Sequence, residues 1–162
     1  MEAYLDRNRG IGMVYVGIAA GIFILDFLIK RYVDKKYVRK VRHPKLGNKV
    51  FIEKYYNNGA ALNLLEEKPG VLKVFQTVLL LAVCSWLYFS IRRDGGRISN
   101  TGLAFLVGGG ANNLFDRYTK GHVVDYIGFS FGPKWFRRII FNVSDFFIFI
   151  GSVLIVVGQK NA

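Results

Sequence analysis

The 162-residue chain has one cysteine, Cys84, so no internal disulfide can hold it together. Cys84 lies in an apolar run and reads as a small buried hydrophobe. An apolar setting raises a thiol pKa, which argues against a reactive nucleophile there. Histidine is almost as scarce: His43 and His122 are the only two. Neither they nor Cys84 are spaced as a ligand set, so a zinc site is rejected and no metal or cofactor is expected. Low-complexity segments and clear internal repeats are also missing. The glycines of LVGGGANNLFDR have no Gly-Lys-Ser/Thr element and no preceding strand, which excludes a phosphate loop. Small residues in such a run instead permit close helix packing. No small-x-small cleavage site follows the first apolar run, and its flanking charges are heaviest after it, at Lys30 and Arg31. That run is expected to be a retained helix, not a signal peptide. Acidic residues are few, 11 against 23 Lys and Arg, for a net charge of +12. With long apolar runs beside it, this charge suits an anionic lipid surface better than nucleic acid, and no nucleic-acid partner is expected.

What the chain has in abundance is apolar sequence. Just over half of its residues are hydrophobic and its mean hydropathy is positive, which points to one membrane-embedded domain. Four stretches approach the roughly 20 residues needed to span a bilayer: 11–29, 71–91, 98–115 and 139–157. Helices satisfy their own backbone in lipid, so the expected fold class is an all-α integral membrane protein with four transmembrane helices. RRDGGR, at 92–97, reads as a tight turn. Residues 30–70 are too long for a mere connector. Within them, NKVFIEKYYNNGAALNLL has short β-like runs and an Asn-Asn-Gly turn signal, so a small hairpin is expected at about 47–65. Residues 116–138 form another connection, with Trp135, Phe136, Lys134, Arg137 and Arg138 as an interfacial anchor.

Threading four helices puts the termini and the RRDGGR turn on one side and the two long connections on the other. The second side then gathers Asp26, Asp116, Asp125 and Asp145 at one level, with Asp145 expected about two turns into its helix. Ionisable residues inside a membrane are costly and each needs a reason. Asp26 has Lys30 one turn on and reads as an ion pair. Asp116 and Arg117 read as part of a structural network at a helix end. Asp125, in GHVVDYI, and Asp145, in FNVSDFFIFI, have no basic residue close in sequence. Each is the other's nearest plausible partner. Two facing carboxylates in a dry site share one proton, leaving one as base and one as acid. Two buried protonated aspartates bonded to backbone is the competing, purely structural reading.

These phrases, in this order, resemble the lipoprotein signal peptidase family (signal peptidase II), which are bacterial intramembrane aspartic proteases. The resemblance rests on Asp26 and Lys30 in LDFLIK; Asn57, Gly59 and Ala61 in YYNNGAALNLL; Gly109, Asn113, Asp116 and Arg117 in GGGANNLFDR; Val123 and Asp125 in GHVVDYI; and Asn142 and Asp145 in FNVSD. It implies four helices with a small extracytoplasmic β-cradle, in the bacterial cytoplasmic membrane, with the active site near the outer face. It implies cleavage of diacylglyceryl-modified prolipoproteins just before the lipidated cysteine. By resemblance, Asp125 and Asp145 are catalytic and the other residues named bind substrate or support the site. A monomer in contact with anionic lipid is expected. Leu62, Asn112 and Ser144 stand where the family often has Phe, Gly and Ala, and the two polar ones are expected to alter hydrogen bonding at the pair.

Charge alone opposes the family's orientation, because six Lys and Arg fall on the terminal side and 17 on the acidic side. The basic 30–54 segment, with ten of them, is expected to lie on anionic lipid. Two other functions fit parts of the sequence. One is a small proton-coupled transporter, which intramembrane aspartates and glycine-rich helices also mark. The other is a relative that binds lipidated peptides without cutting them.

Overall fold

The computed structural model describes residues 2–59 and 65–159, with side chains from residue 10 onward. Among the described residues four helices and four short strands follow one another in the order α1 (Glu2–Lys36), β1 (Arg42–Lys45), β2 (Val50–Asn57), α2 (Pro69–Arg92), α3 (Arg97–Thr119), β3 (Val123–Phe129), β4 (Ile140–Phe141) and α4 (Val143–Gln159). A 3₁₀ turn, Phe136–Arg138, precedes β4. Two helices, α1 and α2, are long and apolar enough to cross a membrane by length and composition; α4 is apolar but shorter. Large apolar side chains face outward along all three, among them Met13, Val16, Val74, Phe75, Phe149 and Val156. An exposed apolar surface of that extent marks a membrane or partner contact.

Helix α3 lies at the centre and touches the other three. Its small residues make this close approach possible. A Cβ on Gly108 would stand 2.6 Å from the Ala19 carbonyl oxygen of α1, and one on Gly102 would stand 2.6 Å from that of Gly151 on α4. Gly109 brings α3 equally close to the first turn of α4, where a Cβ would meet the Ser144 carbonyl oxygen at 2.7 Å. The glycine run thus packs helices, as its composition suggests. The α2–α3 turn is closed by Asn100, which accepts from Ser90 Oγ at 2.5 Å and donates to the Gly95 carbonyl at 3.1 Å.

The expected helix limits need correcting at three ends. α1 continues to Lys36 and α3 to Thr119, so part of each expected connection is helical. α4 begins at Val143, not 139, because Ile140 and Phe141 pair with Gly128 and Ile127 as strand β4. Asp145 therefore sits in the first helical turn, not two turns in. The expected hairpin also grows. It also lies earlier than 47–65: β1 and β2 form it over 42–57, and β3 and β4 extend it to a four-stranded antiparallel sheet in the order β1-β2-β3-β4. The Asn-Asn-Gly signal ends β2 instead of turning a hairpin; the hairpin turns at 46–49, where Leu46, Gly47 and Asn48 have positive φ. Cys84 is half-buried, not buried. Most basic residues of the 30–54 segment are exposed, but Lys30 is 1% exposed inside α1 and Lys54 is half-buried.

Candidate active site

Strand β3 decides where the acids go. A register shift in β2 between Ile52 and Tyr55 brings Tyr55 opposite Asp125 and Asn57 opposite Val123. Side chains alternate along a strand. Val123 and Asp125 therefore share a face with Tyr55 and Asn57, and all four line a cavity of about 750 Å³. Val124 and Tyr126 take the other face and pack with Val33, next to Ile29 and Tyr37. The cavity is closed by Gln76 from α2, Asn113 and Arg117 from α3, 138–141 from the β4 strap, and Asp145, Ile148, Phe149 and Ser152 from α4.

Asp125 and Asp145 are held by neutral donors. Asp125 accepts from Asn142 Nδ2 at 2.6 Å and from Asn57 Nδ2 at 2.9 Å. Asp145 accepts from Asn113 Nδ2 at 2.9 Å and from the Asn142 backbone N–H at 3.0 Å. Asn142 Oδ1 in turn accepts the Asp145 N–H at 3.0 Å. Asn142 and Asp145 are thus the first and last members of a reciprocal capping box at the start of α4. One residue, Asn142, starts the helix and bonds both carboxylates. Burial pushes the Asp125 carboxyl up to about 7, and the Asp145 charge beside it pushes the same way, against the pull of the Asn57 and Asn142 amides.

Lys30 and Lys120 pair elsewhere. Lys30 Nζ lies 3.3 Å from Asp26 and 3.0 Å from Asp116, and donates to Asn112 Oδ1 at 2.6 Å and Asn113 Oδ1 at 2.8 Å. Asp116 also meets Lys120 at 2.9 Å and accepts from the Val124 N–H. Asp26 accepts from Tyr126 Oη at 2.7 Å and from Ser144 Oγ at 2.5 Å. Burial and the Asp26 charge hold the Tyr126 hydroxyl well above its usual range, so it remains a donor. The Asp26–Lys30 pairing is as read from the sequence. Asp116 and Arg117 do not pair with each other: Arg117 turns to the Gly59 carbonyl and to the Asn113 carbonyl at 3.4 Å. Asn112 and Ser144 bond to this second network and not to the Asp125–Asp145 pair, contrary to expectation. Ala61 lies outside the described residues. His122 stacks on Tyr56 with ring centroids 4.0 Å apart.

The structure therefore brings Asn57, Asn113, Arg117, Val123, Asp125 and Asp145 around one cavity, with Asn142 buried against both acids, and sets Asp26, Lys30 and Asp116 behind it. Gly59 is tied to it through Arg117 and Asn57, and Gly109 through close packing on α4. Sequence reasoning missed three residues. Tyr126 and Lys120 complete the second network, and Gln76 lines the cavity. Tyr126 next to Asp125 on an otherwise apolar strand carried a signal, since a buried tyrosine hydroxyl needs a partner.

A family model described as Signal peptidase (SPase) II matches residues 18–159. A lipoprotein signal peptidase of Neisseria meningitidis serogroup C is 41% identical over 146 residues, covering 90% of this chain and 88% of that protein. One of Chromobacterium violaceum is 33% identical over 144 residues, covering 88% of each. A solved structure described as a bacterial membrane enzyme superposes with a TM-score of 0.78 at 23% identity, over 91% of this chain and 88% of that one. A second, at 24% identity, has a TM-score of 0.74, covering 90% and 92%. At those identities the structural likeness bears on the fold.

Proposed function

The chain belongs to the signal peptidase II family, and from that membership we propose that it cleaves diacylglyceryl-modified prolipoproteins by an aspartate pair, Asp125 and Asp145. Its activity as a bacterial lipoprotein signal peptidase is the family's. The mechanism and its setting are our reading. All four helices cross the membrane, and the sheet and the acidic cavity lie near the extracytoplasmic face. The exposed apolar faces of α1, α2 and α4 support this, as does the sheet gathered at one end of the helices.

The observation that carries the mechanism is the division of charge. Lys30 and Lys120 pair with Asp26 and Asp116, while Asp125 and Asp145 line the cavity with amide N–H donors on them. Two such carboxylates hold one proton between them. The ionised one takes a proton from water as the oxygen attacks the scissile carbonyl carbon. The protonated one gives its proton to the carbonyl oxygen, forming a neutral gem-diol. On collapse the ionised aspartate takes the proton of one gem-diol hydroxyl, the protonated aspartate gives its proton to the leaving nitrogen of the lipidated cysteine as the C–N bond breaks, and the pair holds one proton as it did at the start. Asn142 bridges both acids throughout and fixes their separation. Asn57 and Asn113 each hold one oxygen, leaving the remaining lone pairs for water and substrate. Asp26, Lys30 and Asp116 support the site without touching substrate. The aromatic and basic strap at 131–138, with Trp135 61% exposed, sits at the lipid surface beside the cavity.

The test is mass spectrometry of the products after purified protein meets a diacylglyceryl-modified prolipoprotein. The expected products are the free signal peptide and a protein starting at the lipidated cysteine, formed equally with chelator present. Cleavage elsewhere, or none by folded protein, overturns the proposal.

A further inference from the structure

Two residues that line the site cavity each carry a buried polar atom with no hydrogen-bond partner among the described residues: Gln76, through Oε1 on α2, and Arg117, through Nε on α3. Leaving a buried donor or acceptor unsatisfied is costly. Native structures rarely tolerate it unless something else supplies the bond. Other polar residues of α2 are satisfied close by. Thr77 donates to the Lys73 carbonyl at 2.8 Å, Ser85 to the Leu81 carbonyl at 2.9 Å, and Ser90 to Asn100. Gln76 is the one carboxamide in this helix, and among the described residues it makes no such bond. Arg117 spends its two terminal nitrogens on the Gly59 and Asn113 carbonyls, and these bonds fix the guanidinium with Nε left over.

The unmet groups are one acceptor and one donor, in the cavity that also holds Asp125 and Asp145. A peptide backbone offers the matching pair: an N–H for Gln76 Oε1 and a C=O for Arg117 Nε. We infer that Gln76 is a substrate-binding residue that accepts a backbone N–H of the peptide near its cleavage site, opposite the Arg117 N–H. The inference rests on the peptidase reading in one respect, that the cavity takes a peptide. Gln76 acts in binding and not in bond breaking.

The experiment measures binding of a diacylglyceryl lipopeptide spanning the cleavage site to the Asp125→Asn protein in detergent, with Gln76 intact, Gln76→Leu or Gln76→Met. Losing one such hydrogen bond should weaken binding about 5- to 30-fold. The unfolding temperature should hold or rise, because an orphaned acceptor has gone. A second arm replaces backbone amides near the cleavage site by esters, one at a time. One ester should weaken binding to the Gln76 protein by a similar factor and leave the Gln76→Leu protein unaffected. Unchanged binding in both Gln76 variants, or equal losses for every ester in every protein, overturns the inference. So does an absence of lipopeptide binding altogether. The peptidase reading fails separately: protein with both aspartates would then bind the lipopeptide in a Gln76-dependent way and not cleave it.

Discussion

Lys30 is the most informative residue to remove from behind the site. Its ammonium is 1% exposed and sits between Asp26 and Asp116, which are 0% and 1% exposed. Lys30→Met keeps most of the volume and removes the charge. Two buried carboxylates then face each other across an apolar side chain, and only Asp116 keeps a cation, Lys120. Removing one partner of a buried ion pair costs about 3–5 kcal/mol, because the charge left behind is uncompensated. For a chain of this size that corresponds to a fall in unfolding temperature of roughly 6–20 °C. The effect also travels toward the cavity. Lys30 holds Asn113 Oδ1 at 2.8 Å, and Asn113 Nδ2 holds Asp145 at 2.9 Å. Without Lys30 the Asn113 amide loses the bond that fixes which end faces Asp145. The assay is thermal unfolding in detergent, with a second variant, Lys30→Met/Asp26→Asn. Its carboxamide stays near Tyr126 and Ser144 without a charge, so part of the loss should return. A fall of under about 1 kcal/mol in Lys30→Met, or no recovery in the double variant, would refute the buried-network account.

Other outcomes follow from the same geometry. The Asp125 carboxyl is raised from 3.8 to about 7, so the folded protein holds this proton where an unfolded chain has released it. Below about 7 the pair keeps its one proton; above, it is lost. Cleavage should therefore decline as pH rises through about 7, and a rate level to pH 9 in folded protein would contradict a shared proton. Gly109→Ala places a methyl 2.7 Å from the Ser144 carbonyl oxygen. Overpacking of this kind costs about 1–3 kcal/mol, and the displaced first turn of α4 should cut the cleavage rate as well. Unchanged stability and rate would mean that α3 and α4 can part without moving Asp145.

The acidic cluster was readable because charge in apolar sequence is conspicuous. Asp26 and Lys30 stand four apart on one helix, so their pairing needs no knowledge of the fold. Strand β3 was hidden for a physical reason. Val123 through Tyr126 are all buried, since one face meets the cavity and the other α1. A strand buried on both faces loses the polar alternation that identifies it. The start of α4 was misread although a signal existed. Asn142 followed three residues later by Asp145, just before FFIFI, is a capping box and marks the first turn. Apolar residues 139–141 looked like more helix, and only pairing with β3 shows that they are strand. The destinations of Asn112 and Ser144 depend on which side of α3 and α4 faces α1, and a list of polar residues does not carry that. Gln76 was invisible for a similar reason, because one amide in a long apolar helix has meaning only beside the cavity it lines.

The most direct test of the central claim compares wild type with Asp125→Asn and Asp145→Asn in a gel-shift cleavage assay. The substrate is a diacylglyceryl-modified prolipoprotein in detergent, with and without chelator. Each substitution is nearly isosteric, and a carboxamide can keep the Asn142 contact, so folding should survive. The account predicts a shift with wild type alone, unaffected by chelator, and none with either variant. A variant that retains cleavage within about tenfold of wild type would contradict the shared role of the two carboxylates.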